Sequence, residues 1–167
     1  MPYHVICFKW GAKYGADYVN RLYGMVARHL SAEFLLHCFT DDASGIRSEV
    51  RCHDLPDLGC AVPINVPGMW RKAAVWGADL GGTDGVALIL ALASVIVDDW
   101  TPLFEIGDPN DMILARRWPN AFFQLGHTTS LRFKVASQAY TLDLFHIDPQ
   151  GTAERAQSVK RWSPNSY

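Results

Sequence analysis

The chain has 167 residues, 49% of them apolar and 19% charged, with a formal net charge of −2. Its length suits one domain with a proper core, and its composition is ordinary for a soluble globular protein. The near-neutral charge leaves no electrostatic case for nucleic acid or an acidic membrane surface as partner.

Met1-Pro2-Tyr3-His4 leads straight into an apolar run over residues 4–8, which predicts a first strand and no secretory leader. The turn-rich Trp10-Gly11-Ala12-Lys13-Tyr14-Gly15 follows. From residue 17 to 30, Tyr18, Val19, Leu22, Val26 and Leu30 recur at helical spacing, and Asp17 suits the cap or positive end of that helix. Residues 34–39 read as a second strand, cut off by Thr40-Asp41-Asp42 and the turn pair Ser44-Gly45. Residues 49–52 predict a short third strand, and residues 55–68 a Pro- and Gly-rich loop. A helix is expected over residues 69–80, ended by Gly81-Gly82.

The apolar run over residues 86–97 lacks two-fold alternation, as expected of a strand covered on both faces. It is too short to cross a bilayer of about 30 Å as a helix. Asp98 and Asp99 are expected to cap the next turn, and Asp108-Pro109-Asn110-Asp111 to form a loop with Asx turns. Residues 112–115 and 130–135 predict further strands, and Arg116-Arg117-Trp118 is a weak basic patch. Ser137 is a fair N-cap for a helix through Tyr140, Leu144 and Phe145 toward His146. The polar stretch from Asp148 to Tyr167 reads as a loosely ordered tail. Cys7, Cys38, Cys52 and Cys60 have no zinc-type spacing, and Cys7 and Cys38 fall in expected core strands, so a reducing cytoplasm is the simplest setting.

Strands alternating with helices argue for an α/β fold with an open, mostly parallel twisted sheet and flanking helices. Ligands of such sheets bind outside the carboxyl ends of the strands, which places Trp10, Thr40–Asp42 and the Ala91/Ala93 region along one crevice.

Several segments resemble a bacterial glycosyltransferase family related to the glycogenin-like enzymes with the GT-A fold, a Rossmann-like nucleotide-sugar fold. These are Trp10-Gly11-Ala12-Lys13-Tyr14 with Tyr18-Val19-Asn20-Arg21-Leu22-Tyr23, then Arg28-His29-Leu30, Phe39-Thr40-Asp41-Asp42 and Gly45. Gly68-Met69-Trp70-Arg71-Lys72, Arg132-Phe133 and Asp148-Pro149-Gln150-Gly151-Thr152 complete the set. The resemblance implies one GT-A-like domain over residues 1–167, with a nucleotide-binding portion (1–104) and a shortened acceptor-side portion (105–167). It implies a nucleotide sugar, a UDP-sugar above all, as donor and a carbohydrate or glycoconjugate as acceptor. In that scheme Trp10 and Tyr14 line the nucleoside pocket, Thr40 and Asp41 contact base or ribose, and Lys72, helped by Arg71, reaches the diphosphate.

The family's metal-site strand resembles Leu88-Ile89-Leu90-Ala91-Leu92-Ala93-Ser94-Val95, and the two aspartates of its Asp-x-Asp motif fall on Ala91 and Ala93. Carboxylates two apart on a strand share a side and can hold a hard cation; alanine methyls ligate nothing. Manganese is typical of the family, but its ligands are missing here, and without the family Ala91 and Ala93 read as small residues of a buried strand. Asp98 and Asp99 lie beyond the metal position and point to opposite faces. His127 is a candidate ligand near the crevice that reads more readily as a lone surface histidine, and the oxygen-rich 108–111 segment reads more readily as a loop. An Asn-Ser-Ser type segment is replaced by His127-Thr128-Thr129-Ser130, and a His-x-x-Gly-x-x-Lys-Pro type segment is missing. Three functions follow: a glycosyltransferase homologue impaired in metal-dependent transfer, a non-catalytic nucleotide or sugar binder with a possible protein partner, or a remnant acting through protein contacts.

Overall fold

The structure, a computed structural model, describes residues 2–66, 68–77, 79–116 and 126–161. Arg117, Trp118 and the 163–167 tail lie outside those residues, as does the side chain of His127.

Four parallel strands build the first part of the sheet: β1 (Tyr3–Lys9), β2 (Phe34–Thr40), β3 (Arg51–His53) and β4 (Val86–Leu90). β5 (Ile113–Arg116) and β6 (Gly126–Lys134) add an antiparallel edge, giving the order β3-β2-β1-β4-β6-β5. β1 and β2 are in register from Tyr3 opposite Phe34 to Lys9 opposite Thr40. Helix α1 (Ala16–His29) covers one face, where Val19, Leu22 and Val26 pack with Val5, Cys7, Leu36, Cys38, Leu88 and Leu90. On the other face Ile6, Phe8, Phe39, Ala87 and Ile89 meet Val75, Leu80, Leu131 and Phe133. Neighbouring residues of one strand therefore serve opposite cores, which explains the unbroken apolar runs.

The α/β expectation and the mostly parallel sheet hold, but four elements differ from their sequence reading. The strand expected over residues 86–97 stops at Leu90. Ala91 N–H still reaches Thr129 O at 2.8 Å, and Ser94 N–H then closes a turn on Ala91 O at 2.9 Å. Leu92 and Ile96 fold back into the α1-side core, so the run stays apolar without staying extended. Residues 70–76 form a 3-10 helix (Trp70–Trp76) in place of an α-helix. Its i, i+3 bonding aligns Trp70, Ala73 and Trp76, and Trp70 stacks on Phe145 at 6.0 Å. The helix expected from Ser137 starts one turn position later, as α3 (Ala139–Ile147) with Gln138 at its N-cap, because the Ser137 hydroxyl donates to Lys134 O at 2.7 Å.

The tail expected to be loose from Asp148 is instead a helix over the described residues, α4 (Pro149–Arg161). Asp148 Oδ1 accepts the Gly151 N–H at 2.8 Å, and Pro149 takes the first helical position, where no backbone donor is needed. Ala153 is fully buried. Gln150 ties the helix to the loop before the 3-10 segment, accepting from Ile64 N–H (2.9 Å) and donating to Ile64 O (3.1 Å).

Two local expectations hold. Asp99 Oδ1 accepts from Thr101 N–H (2.9 Å) at the start of α2 (Thr101–Glu105), and Asp108 Oδ1 accepts from Asn110 N–H (2.8 Å). Arg132, 1% exposed, donates to the carbonyls of Asp108 (3.0 Å) and Asp111 (3.4 Å) and fastens that loop to β6.

Candidate functional site

The parallel strands β1, β2 and β4 end on one side of the sheet, where their loops enclose two cavities. The first, about 380 Å³, lies between the loop after β1, the start of the 3-10 helix and the turn after β4. Trp10, Tyr14, Lys72, Ala91 and Ala93, scattered over more than eighty positions of sequence, all line it. Lys13 and Thr129 join them, though sequence reasoning assigned neither a role. The signal for Lys13 was its place between Trp10 and Tyr14; that for Thr129 was its place in the segment standing for the family's Asn-Ser-Ser type run, though only strand pairing brings β6 beside β4.

Trp10 is half-buried against the Phe8 side of the sheet, and Tyr14 packs edge-on to Tyr18 with centroids 4.8 Å apart. The Lys13 ammonium stands 5.3 Å from the Tyr14 ring centre. Lys72 is half-buried, and burial holds its pKa below the ordinary lysine value. Among the described residues no carboxylate lines this cavity, and the charges that line it are two ammonium groups beside aromatic rings. That set suits an anion attached to a flat ring system.

Ala91 is half-buried and Ala93 exposed, both facing this cavity across the turn. They are not the small core residues of a buried strand, because β4 ends before them. A hard divalent cation, which the resemblance implies, does not fit here. Among the described residues the lining offers no carboxylate or imidazole, and no three His, Cys, Asp or Glu side chains are grouped to hold a metal.

The second cavity, about 600 Å³, opens at the ends of β2 and β3 and is lined by Thr40, Asp41, Asp42, His53, Asp54 and Asp79 among others. Thr40 and Asp41 are thus placed beside the first cavity and not in it. The Thr40 hydroxyl is already used within the turn, donating to Asp42 O at 2.9 Å and accepting from Asp42 N–H at 3.1 Å. Buried Lys9 also donates to Asp42 O at 2.8 Å, so this corner is closed by internal bonds. Asp41 is exposed, and its Oδ2 accepts from Gly11 N–H at 2.9 Å, tying the two loops together. Arg71 is exposed and does not line either cavity.

Solved structures of glycosyltransferases share this fold, a mostly parallel sheet with a loop-built crevice at its carboxyl edge, so the fold is GT-A-like. The galactosyltransferase LgtC in complex with donor and acceptor sugar analogs superposes with a TM-score of 0.61 at 14% identity, over 82% of this chain. The apo-form glycosyltransferase GlyE of Streptococcus pneumoniae TIGR4 gives 0.58 at 15% identity, over 90% of this chain. The likeness is one of fold, and the chain spans 59% and 40% of the length of those two proteins. No family model and no curated protein matches the sequence. No helix among the described residues is long and apolar enough to cross a membrane.

Proposed function

We propose that the protein is a glycosyltransferase homologue that binds a nucleotide sugar, a UDP-sugar above all, in the cavity of about 380 Å³, and that it is impaired in metal-dependent sugar transfer. The observation that carries this reading is the convergence of Trp10, Tyr14, Lys13 and Lys72 around Ala91 and Ala93. Aromatic faces hold the base, and the two ammonium groups meet the diphosphate as point charges. Lys72 is the stronger contact, because a partly desolvated cation gains more from a new anionic partner than an exposed one. Arg71 is at most a long-range helper from the surface.

Charge building on a leaving diphosphate needs stabilisation, and Lys13 and Lys72 are the groups available for it. Among the described residues no carboxylate or imidazole lines the cavity to serve as general base, which favours non-catalytic nucleotide binding as the second reading. A carbohydrate acceptor and a reducing cytoplasmic setting belong to the same proposal; Cys7 and Cys38, opposed in register as free thiols in the core, are in keeping with the latter.

Calorimetric titration of UDP with and without manganese tests it. The expected result is binding independent of the metal, weakened about tenfold or more in Lys72→Ala. Affinity is expected to fall as pH rises through the depressed Lys72 pKa, since the neutral amine attracts no phosphate. Binding only with manganese, or unchanged binding in Lys72→Ala, defeats the proposal. Turnover of a UDP-sugar separates the transferase reading from the binding one.

A further inference from the structure

The register of β1, β2 and β3 sets Cys7 opposite Cys38 and Cys38 opposite Cys52, so these thiols stand in one row across neighbouring parallel strands. In-register residues of such strands point to one face of the sheet, here the face covered by α1, where Cys7 and Cys38 belong to the core. Cys7 and Cys38 are fully buried, whereas Cys52 is exposed. β3 is the edge strand, so the row meets solvent at Cys52, which also lines the second cavity. Packing accounts for the buried pair, since a free thiol serves as a small hydrophobe. It does not account for an exposed thiol aligned with them.

The sulfurs of the row are not equivalent. The Cys7 thiol donates to the Cys38 sulfur, which pushes the Cys7 pKa well up and the Cys38 pKa down. Lys9, two positions further along β1 on the same face and 5% exposed, adds positive charge that also favours the Cys38 thiolate. Partial burial and the neighbouring Cys38 raise the Cys52 pKa. Cys38 is thus the nucleophile of the row, Cys7 its hydrogen-bond donor, and Cys52 the sulfur that a reagent from solvent can reach.

Spacing permits a bond between the last two. Neighbouring strands lie about 4.8 Å apart, inside the roughly 4.4–6.8 Å between Cα atoms that a disulfide spans. β3, three residues long and at the sheet edge, can close on β2 as the bond forms.

We propose that Cys38 and Cys52 form a reversible redox pair, with Cys52 the point of entry for a low-molecular-weight disulfide such as glutathione disulfide. The Cys52 thiolate attacks one sulfur of glutathione disulfide, whose S–S bond breaks; one glutathione thiolate leaves, and a Cys52–glutathione mixed disulfide forms. The Cys38 thiolate then attacks the Cys52 sulfur, and the second glutathione leaves as its thiolate. Two protein thiols lose two electrons and two protons, and one glutathione disulfide becomes two molecules of glutathione. Excess glutathione runs both steps backwards. The first step is slow, because little Cys52 is ionised at neutral pH. The second is fast, because Cys38 ionises more readily and stands opposite, so the mixed disulfide does not accumulate.

Incubation of the full chain with glutathione disulfide at neutral pH, followed by peptide mass mapping, is the test. The Cys38 and Cys52 thiols are expected to disappear together, to be recovered as one disulfide-linked peptide pair, and to return with excess glutathione. Cys52→Ser is expected to slow the loss of the Cys38 thiol about tenfold or more. Cys38→Ser is expected to leave a stable glutathione adduct on Cys52. Circular dichroism checks that variant's fold; Cys52→Ser, at an exposed position, decides alone if the buried substitution unfolds the chain. Four results overturn the proposal: a stable adduct on Cys52 in the unaltered chain, a disulfide joining Cys7 to Cys38, one that includes Cys60, or thiols that survive the treatment.

Discussion

His37, 2% exposed in β2, holds His4 on one side and His53 on the other. Its Nε2 lies 3.0 Å from His4 Nδ1, and its Nδ1 lies 3.0 Å from His53 Nε2, with Thr83 Oγ1 at 3.3 Å. Which nitrogen donates in each contact depends on the tautomers of the three rings. Burial, with His4, His53 and Arg51 adding positive charge, pushes the His37 pKa from 6.5 to about 4. Burial also lowers His4 and His53, partly opposed by Asp84 and Asp79 respectively. The unfolded chain therefore binds a proton between pH 6.5 and 4 that the folded chain refuses, so stability is full above that window and falls as pH drops through it. The loss from His37 at pH 5 is about 2 kcal/mol relative to pH 8. Urea unfolding at the two pH values measures it, and His37→Gln should remove most of the difference. An unaltered pH dependence in that variant would show that His37 is not the group responsible.

The same logic of local bonds governs elements. The loop before the 3-10 helix has little regular structure of its own, and Gln150 of α4 replaces the missing backbone partners of Ile64 with two hydrogen bonds. Gln150→Ala is expected to cost about 1–2 kcal/mol. It is also expected to raise amide hydrogen exchange at residues 60–66 while β1 and β2 stay protected. Exchange that rises uniformly along the chain would show global loosening and not a local tie. Helix α4 itself was legible in the pair Asp148-Pro149, an N-cap followed by a first-turn proline. Polar composition hid it, because its stability comes from a few contacts such as the burial of Ala153 and not from an apolar stripe.

At the scale of the molecule, Ala91 and Ala93 bear on how the GT-A-like fold is used. They face the same cavity as Lys13 and Lys72, although the chain between them turns. The double variant Ala91→Asp/Ala93→Asp would put two carboxylates there, and UDP binding is then expected to become manganese-dependent, with weaker binding in metal-free buffer. Unchanged, metal-indifferent binding would mean that the turn holds the two positions too far apart for a common ligand.

Local pattern was enough for much of the architecture. The helical spacing from Tyr18 to Leu30 and the apolar runs of β1, β2 and β4 follow from which faces are buried, a property written along the chain. The order of strands and helices likewise carried the mostly parallel sheet, and the rule that ligands sit at its carboxyl edge set Trp10, Thr40–Asp42 and the alanine pair on one side, where they line two neighbouring cavities. Tertiary structure alone decided where β4 stops, because an apolar run reads the same whether it extends or folds back as Leu92 and Ile96 do. It alone separated Thr40 and Asp41 from the first cavity, brought Thr129 in, and aligned Cys52 with Cys38 and Cys7. Periodicity records what each residue does relative to its neighbours in sequence. Convergence of distant loops depends on packing between elements, which no single segment encodes.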